Sequence, residues 1–256
     1  MTEPNAPLVT PNDRDSTQRI EIRPGTYRNE LLRRMCPTDI ALLEPHLHRQ
    51  FLGLRTQLET ANVPIKAVYF FESGIGSVVA KLRTDVDTEV GMIGFEGMTG
   101  SALVMGDDRS AHDCYIQLDA EVFCIDVIPF RSMLSESPSL RTFLLRYAHY
   151  FHIQASFTGL INARLKLEER LARWLVMCGD RVDAERLAIT HEFLSVMLGV
   201  RRPGVTVALQ TLEGRGLIRS NRGEIIIRDR AGLIKMANGS YGRPEAEYAR
   251  LVGHIH

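Results

Sequence analysis

The sequence predicts an α+β protein in three parts: an N-terminal antiparallel β-roll or barrel, one long helix, and a C-terminal winged helix-turn-helix. Three observations predict it. Short β-rich runs separated by Gly, Asp, Asn and Ser arrive at close intervals from about Phe51 to Phe130, which is the texture of antiparallel strands in a roll or barrel. Residues at 4-3 spacing, most of them apolar, run from Leu140 to Leu165 with no proline between them, which marks a long helix with a continuous seam. Finally, residues 189–227 read as helix, turn glycine, helix and two short strands.

Composition bounds the rest. The chain has 256 residues, 45% hydrophobic and 24% charged, which is ordinary for a globular protein of two modest domains. No apolar run reaches the roughly 18 residues that a spanning helix needs. The opening MTEPNAPLVTPNDRDSTQRIE lacks the basic start and apolar core of a secretory signal. It is polar, and residues 1–25 are expected to form a flexible N-terminal tail, with a cytoplasmic location by default. Cys36, Cys114, Cys124 and Cys178 are scattered without a C-x-x-C pair, so they are expected to be reduced, mostly buried thiols rather than metal or iron–sulfur ligands. A redox-sensing thiol is the sharper reading of the same residues. Formal net charge is zero and gives no global hint of nucleic acid.

Within the predicted β-roll domain, residues 26–136, the stretch 28–53 first carries helical spacing. Leu31, Leu32 and Met35 precede a break at Cys36–Pro37–Thr38–Asp39, and Ile40, Leu42, Leu43 and Leu47 follow it; Thr38 or Asp39 is the expected cap of the second piece. Strands are expected at Ala67–Phe71, Gly76–Leu82, Glu89–Ile93, Cys114–Gln117 and Glu121–Asp126. The long helix occupies 137–166. Its seam comprises Leu140, Leu144, Tyr147, Phe151, Gln154, Thr158, Ile161 and Leu165. A helix near 27 residues is about 40 Å long, more than a compact roll covers. Leu140, Leu144, Tyr147, Phe151, Thr158, Ile161 and Leu165 are therefore expected to form a dimerisation face, with packing on the chain's own roll as the alternative. Gln154 and Thr158 are polar seam positions suited to fixing register or facing a ligand. A further helix is expected over Glu168–Val176.

Residues 167–240 form the predicted winged helix-turn-helix, and 241–256 a C-terminal tail. Thr190 is a good N-cap, with Glu192 in the first turn where an anion is favoured. Phe193, Leu194, Met197 and Leu198 give the first helix its apolar side, and Gly199 supplies the turn. The second helix begins near Arg201–Arg202, where Pro203 is tolerated because first-turn N–H groups lack an intrahelical acceptor. Val205, Ala208, Leu209 and Leu212 make its buried stripe, while Arg202, Pro203, Thr206, Val207 and Gln210 lie on the other side. Such a side suits a major groove: an arginine can donate two bonds to guanine, a glutamine can pair with a base or a phosphate, and a valine can meet a thymine methyl. Gly216–Leu217–Ile218 enters a strand, Arg219–Glu224 turns it, and Ile225–Ile227 returns, placing Arg219 and Arg222 near phosphates. From Leu187 to Arg230 seven arginines face four acids, a local excess of positive charge of the kind duplex DNA selects.

This stretch resembles the DNA-binding domain of the cyclic-AMP receptor protein and fumarate-nitrate regulator superfamily (Crp/Fnr). The likeness rests on Ile189–Thr190, a glycine separated from it by eight residues, an arginine early in the second helix, Leu212–Glu213 at its end, and Gly216–Leu217–Ile218 entering the strand. The preceding order of β-roll and long helix matches as well, so the likeness covers nearly the whole chain. It implies a cyclic-nucleotide-binding-like jelly roll and a homodimer presenting two recognition helices to a pseudo-palindromic operator, with RNA polymerase a candidate further partner. It also implies that Arg202 reads guanine, and that Thr190, His191, Arg201 and Gln210 touch phosphate. Pro203 and Val207 stand where well-known members carry other base-reading residues, so operator sequence is not inherited.

One motif remains. Gly91-x-x-Gly94-x-x-Gly97-x-x-Gly100 leads to Gly106–Asp107–Asp108–Arg109–Ser110. Glycines allow close backbone approach and exposed N–H groups, which suits a phosphate cradle. The resemblance makes this a phosphate-binding cassette, with Gly97, Gly100, Arg109 and Ser110 as effector-binding residues and Ser156 approximately where members meet a purine. Met98 stands where a ribose-binding glutamate is expected, with Glu96 one residue off, and losing such a carboxylate removes about 1.5–3 kcal/mol. No cofactor is assigned; a cyclic nucleotide is the candidate, disfavoured by that departure, and the alternatives are a roll with vestigial glycine turns and Arg109 in a structural ion pair, or another effector.

A dinucleotide fold is excluded because β-rich segments flank the glycines on both sides. No nucleophile elbow, H-E-x-x-H or phosphate loop occurs, so no enzyme is expected. His46 with His48, and His149 with His152, read as solvated or hydrogen-bonded histidines rather than metal ligands. The reading is a homodimeric, sequence-specific DNA-binding transcription regulator. The rival is a ligand-sensing or protein-docking module whose helix-turn-helix no longer binds DNA.

Overall fold

A computed structural model of the chain describes residues 26–81, 87–182 and 185–254. The expected tail over 1–25, Leu82 at the end of one expected strand, and residues 255–256 lie outside the described residues.

Short β-rich runs, several of them buried over most of their length, fold the first half into two antiparallel sheets. One has the order β1-β7-β3, built from β1 (His48–Leu52), β3 (Ala67–Phe71) and β7 (Ala120–Asp126). The other has the order β2-β6-β4-β5, from β2 (Gln57–Glu59), β4 (Ile75–Lys81), β5 (Asp87–Ile93) and β6 (Asp113–Leu118). Leu52, Tyr69, Phe71 and Val122 of the first sheet share one buried core with Val78, Ile93 and Ile116 of the second, the packing of a sandwich closed into a roll. All five expected strands are present, each within a few residues of its expected bounds. β1 and β2 were not expected. β1 lies inside the stretch read as helical, because Leu47, just before it, continues the helical spacing from Leu43, which the pairing of His48–Leu52 with Cys124–Ala120 overrides.

Two short helices precede the roll, α1 (Glu30–Arg34) and α2 (Pro37–Leu43). Cys36, not Thr38 or Asp39, is the N-cap of α2, and it makes no side-chain cap bond. Asp39 is instead buried against the start of a later helix, accepting hydrogen bonds from Ser137 (2.5 Å) and Ser139 (2.9 Å). After β7, α4 (Val127–Glu136) leads to α5 (Pro138–Arg164), the expected long helix of 27 residues. Ser137 caps it by accepting the Leu140 N–H. A short α3 (Ser101–Met105) stands between β5 and β6.

The seam of α5 is apolar where expected, but its partner is different. Leu140, Leu144, Tyr147 and Ile161 are buried within the same chain, and Phe151, Thr158 and Leu165 are half-buried. Leu140, Leu144 and Tyr147 join Val68, Phe70, Met98, Phe123 and Tyr248 in one core. Gln154 takes the place of a neighbouring strand: its Oε1 accepts the Met92 N–H at 2.7 Å and its Nε2 donates to the Met92 carbonyl at 3.2 Å. Leu140, Leu144 and Tyr147, and in part Phe151, of the seven residues expected at a dimer face therefore clothe the chain's own roll. Helix length misled, because α3, α4 and a C-terminal helix over Arg243–Leu251 lie along α5 in addition to β5.

The C-terminal half consists of α6 (Leu167–Val182), β8 (Arg186–Leu187), α7 (His191–Met197), α8 (Arg202–Gly214), β9 (Ile218–Asn221), β10 (Glu224–Ile227), α9 (Arg230–Met236) and α10 (Arg243–Leu251). α6 is longer than the expected Glu168–Val176. A two-stranded wing was expected; β8 adds a third strand, in the order β8-β10-β9. Nor is 241–256 simply a tail. Arg243–Leu251 is a helix whose Tyr248, 1% exposed, stacks edge-on against Tyr150 at 4.8 Å and donates to the Glu96 carbonyl at 2.8 Å.

The two halves share a core. Ile75, Val79 and Met92 of the roll pack with Leu171, Trp174, Leu175, Leu194, Met197, Val205 and Leu209. Two buried acids cross the same boundary. Glu96 pairs with Arg181 at 2.7 Å, and Glu89 accepts from the Trp174 Nε1 at 2.7 Å. Among the described residues no helix is long and apolar enough to cross a membrane.

Candidate nucleic-acid interface and the β-roll cavity

The helix pair is set by its apolar stripes. Leu194, Met197 and Leu198 from α7, and Val205, Ala208, Leu209 and Leu212 from α8, are buried together. Thr190 caps α7 by accepting the Phe193 N–H at 3.2 Å. Gly199 turns the chain at φ +59°, a left-handed conformation that disfavours a side chain. Pro203 sits in the first turn of α8, with Arg201 as N-cap. What this packing leaves outside is the expected polar side: Arg201, Arg202, Pro203 and Gln210 are exposed, and Val207 is 57% exposed. An exposed valine between an arginine and a glutamine has no packing role in the chain.

Two expected contact residues are partly engaged. Thr206 is half-buried and lies 3.3 Å from the His191 Nδ1, so these two tie α7 to α8 as well as lining the surface. The wing is braced on α8: Glu213 Oε1 accepts the Ser220 N–H at 3.0 Å. Gly223 turns it at φ +76°, leaving Arg219 and Arg222 exposed. Not every arginine of the stretch is free for a partner. Arg230 is held by Asp180 at 2.7 Å, and Arg215 reaches the Met236 sulfur at 3.2 Å.

The glycine motif serves close packing rather than a phosphate cradle. Gly97 is buried, its N–H donates to the Gly94 carbonyl at 2.9 Å, and an added Cβ would collide with the Tyr147 ring. The run exists so that α5 and α6 can lie close to the chain after β5. Met98 is fully buried, and Glu96 points to Arg181. Ser156 is exposed on the outer side of α5, its hydroxyl donating to the His152 carbonyl. Gly97 and Ser156 are thus removed from the expected effector site.

Gly100, Arg109 and Ser110 do meet at a cavity of about 370 Å³, with Val78, Ile93 and Phe151 among its walls. They do not form a vacant cradle. The Gly100 N–H donates to Glu59 Oε1 at 2.6 Å, and the Ser110 hydroxyl bonds the same carboxylate. Arg109 pairs with Asp108 at 2.8 Å, both about half-exposed. These residues do not fit the phosphate of a nucleotide, because a carboxylate already occupies the donors. No signal in the sequence singles out Glu59, which is 41 positions from its glycine partner. Among the described residues no group of three potential metal-ligating side chains comes together. His46, His48, His149 and His152 are exposed. Cys36 is exposed, and the other three thiols are buried; burial pushes Cys124 up to about 12 and raises Cys114 and Cys178 as well.

The roll, the long helix and the winged helix-turn-helix together define a chain with the architecture of a two-part DNA-binding regulator. The profile of the Crp-like helix-turn-helix domain matches residues 169–236. Residues 169–236 are thus a Crp-like helix-turn-helix domain, and the chain shares the fold of solved Crp/Fnr-family regulators. Among solved structures it is similar to a CRP-family transcriptional regulator from Thermus thermophilus, at 17% identity and a TM-score of 0.63, covering 74% of this chain and 97% of that one. A second CRP/FNR-family regulator of that organism gives 20% identity and 0.62, covering 75% and 100%. A c-di-GMP-responsive global regulator from Xanthomonas campestris gives 19% and 0.60, covering 75% and 99%. At such identities the likeness is one of fold. No curated protein is significantly similar in sequence.

Proposed function

We propose that the chain is a sequence-specific DNA-binding transcription regulator of the cytoplasm, acting as a homodimer and controlled through its β-roll. The observation that carries the first part is the uncovered polar side of α8. Arg202, Val207 and Gln210 are exposed beside a wing bearing Arg219 and Arg222. Direct readout needs such a helix side, and phosphate contacts from the wing and from the start of α7 would set its register.

Pairing is supported by the side of α5 opposite the buried seam. Leu145, His149, His152, Ser156, Leu160 and Ala163 are exposed there in a single stripe at 3–4 residue spacing, with Leu145 at 39% and Leu160 at 56%. Two copies joined along it would present two recognition helices to successive major grooves, about 34–36 Å apart. Control is supported by the core shared between roll and helix-turn-helix: a change in β4 or β5 bears directly on α6 and α7.

The test is fluorescence anisotropy of the full chain on duplexes selected from a random pool. Affinity is expected to fall by about 10³-fold or more between roughly 50 and 200 mM salt. Arg202→Ala is expected to cost about 1–3 kcal/mol and relax base preference at one position. Equal binding by wild type and Arg202→Ala across operator variants would remove the role assigned to Arg202. Absence of binding at low salt would favour a sensing or docking module that has lost its DNA partner.

A further inference from the structure

The cavity of the β-roll has a chemistry of its own, independent of DNA. Its apolar walls include Val78, Ile93 and Phe151, and its volume of about 370 Å³ falls in the range of small-ligand sites. At one place two donors converge, the Gly100 N–H and the Ser110 hydroxyl. The latter is itself oriented by the His112 N–H at 3.1 Å. Both donors serve Glu59.

An ionised carboxylate offers about four acceptor positions, so two donors leave it unfilled, and Glu59 itself lines the cavity. Among the described residues no side-chain cation pairs with Glu59. Arg109 is turned to Asp108 and Lys81 to Asp113. A second acid, Asp107, also lines the cavity, its Oδ1 accepting the Asp108 and Arg109 N–H groups. Burial pushes the Glu59 carboxyl up in spite of its two hydrogen bonds, as expected of a desolvated anion that lacks a counter-ion. A second anion brought into this cavity would meet like charge and find its donors taken. A cation would complete the site.

We propose that this cavity binds a small organic cation, an ammonium group on an apolar body, with Glu59 as its counter-ion, and that it rejects anionic nucleotides. The proposal deepens the control assigned to the roll but does not depend on DNA binding, because ligand binding is read directly.

Calorimetry on the full chain with phenethylamine, phenethyl alcohol and cyclic AMP tests it. The amine is expected to bind at least ~10-fold more tightly than the alcohol, and cyclic AMP to give no heat. Glu59→Gln is expected to lose the amine preference. Glu59→Ala frees the Gly100 and Ser110 donors and is expected to acquire affinity for cyclic AMP. Binding of cyclic AMP to the wild type, equal affinity for amine and alcohol, or no heat from millimolar amine would each overturn the proposal. The amine–alcohol comparison needs no variant, so it stands even where a substitution impairs folding. Amine binding without any DNA binding would sink the regulator reading and leave this one intact.

Discussion

Glu89 sits 5% exposed where the roll meets α6. Trp174 Nε1 donates to its Oε1 at 2.7 Å and Ser77 Oγ lies 2.6 Å from its Oε2. Desolvation outweighs these bonds and the nearby Arg173 and Arg181, pushing the carboxyl from 4.5 up to about 7. The folded chain therefore keeps a proton on Glu89 at pH values where the unfolded chain has released it. Stability from this group is full below about 4.5 and is lost as pH rises through about 7. The whole difference converts to about 3 kcal/mol, of which about 2 kcal/mol falls between roughly pH 5.5 and 8. Glu89→Gln mimics the protonated acid: its carbonyl still accepts from Trp174, and its amide can donate to Ser77, whose hydroxyl also faces the Met197 sulfur at 3.3 Å. The variant is expected to be more stable than wild type at pH 8, with an advantage about 2 kcal/mol larger than at pH 5.5. Urea denaturation of both proteins at the two pH values measures this, since all other titrations cancel in the comparison. A stability difference that does not change with pH would refute the reasoning.

Arg181→Met leaves Glu96 buried without its cation and is expected to cost about 3–5 kcal/mol; a loss under ~1 kcal/mol in the same denaturation assay would show that the pair is not holding α6 to the roll. Gly97→Ala places a methyl against Tyr147 and is expected to cost about 1–3 kcal/mol, whereas unchanged thermal stability would mean that α5 yields freely. Leu160→Glu puts a charge in the outward stripe of α5 and is expected to convert a dimer to a monomer in analytical ultracentrifugation; an unaltered sedimentation coefficient would place the pairing surface elsewhere. Arg222→Ala on the wing is expected to lower the salt dependence of DNA affinity by about one phosphate without altering base preference, and a changed base preference would contradict its placement at the backbone.

Much of the fold was legible because its signals are local. The strands from Ala67 to Asp126 carry the β-branched and aromatic composition of β-structure, and the cap at Thr190, the turn at Gly199 and the proline in the first turn of α8 each act within a few residues. The exposed side of α8 followed from the same logic: once Val205, Ala208, Leu209 and Leu212 face inward, Arg202, Val207 and Gln210 must face outward. β1 escaped notice because its five residues, His48–Leu52, are too few and too polar to mark a strand beside the helical spacing that ends at Leu47.

The failures share one form. Periodicity identified the apolar side of α5 but not what covers it, and the roll, rather than a second copy, took Leu140, Leu144 and Tyr147. The glycine run announced close approach, yet what approaches Gly97 is Tyr147, fifty residues on. The carboxylate that occupies the Gly100 donor comes from β2, forty-one residues earlier. By itself, then, the sequence determined the elements, their order and the inward side of each, because backbone preference and solvent exclusion act residue by residue. Only the tertiary structure decided which surfaces meet and which charges share a cavity. Those outcomes depend on distances between chain segments that no local pattern encodes.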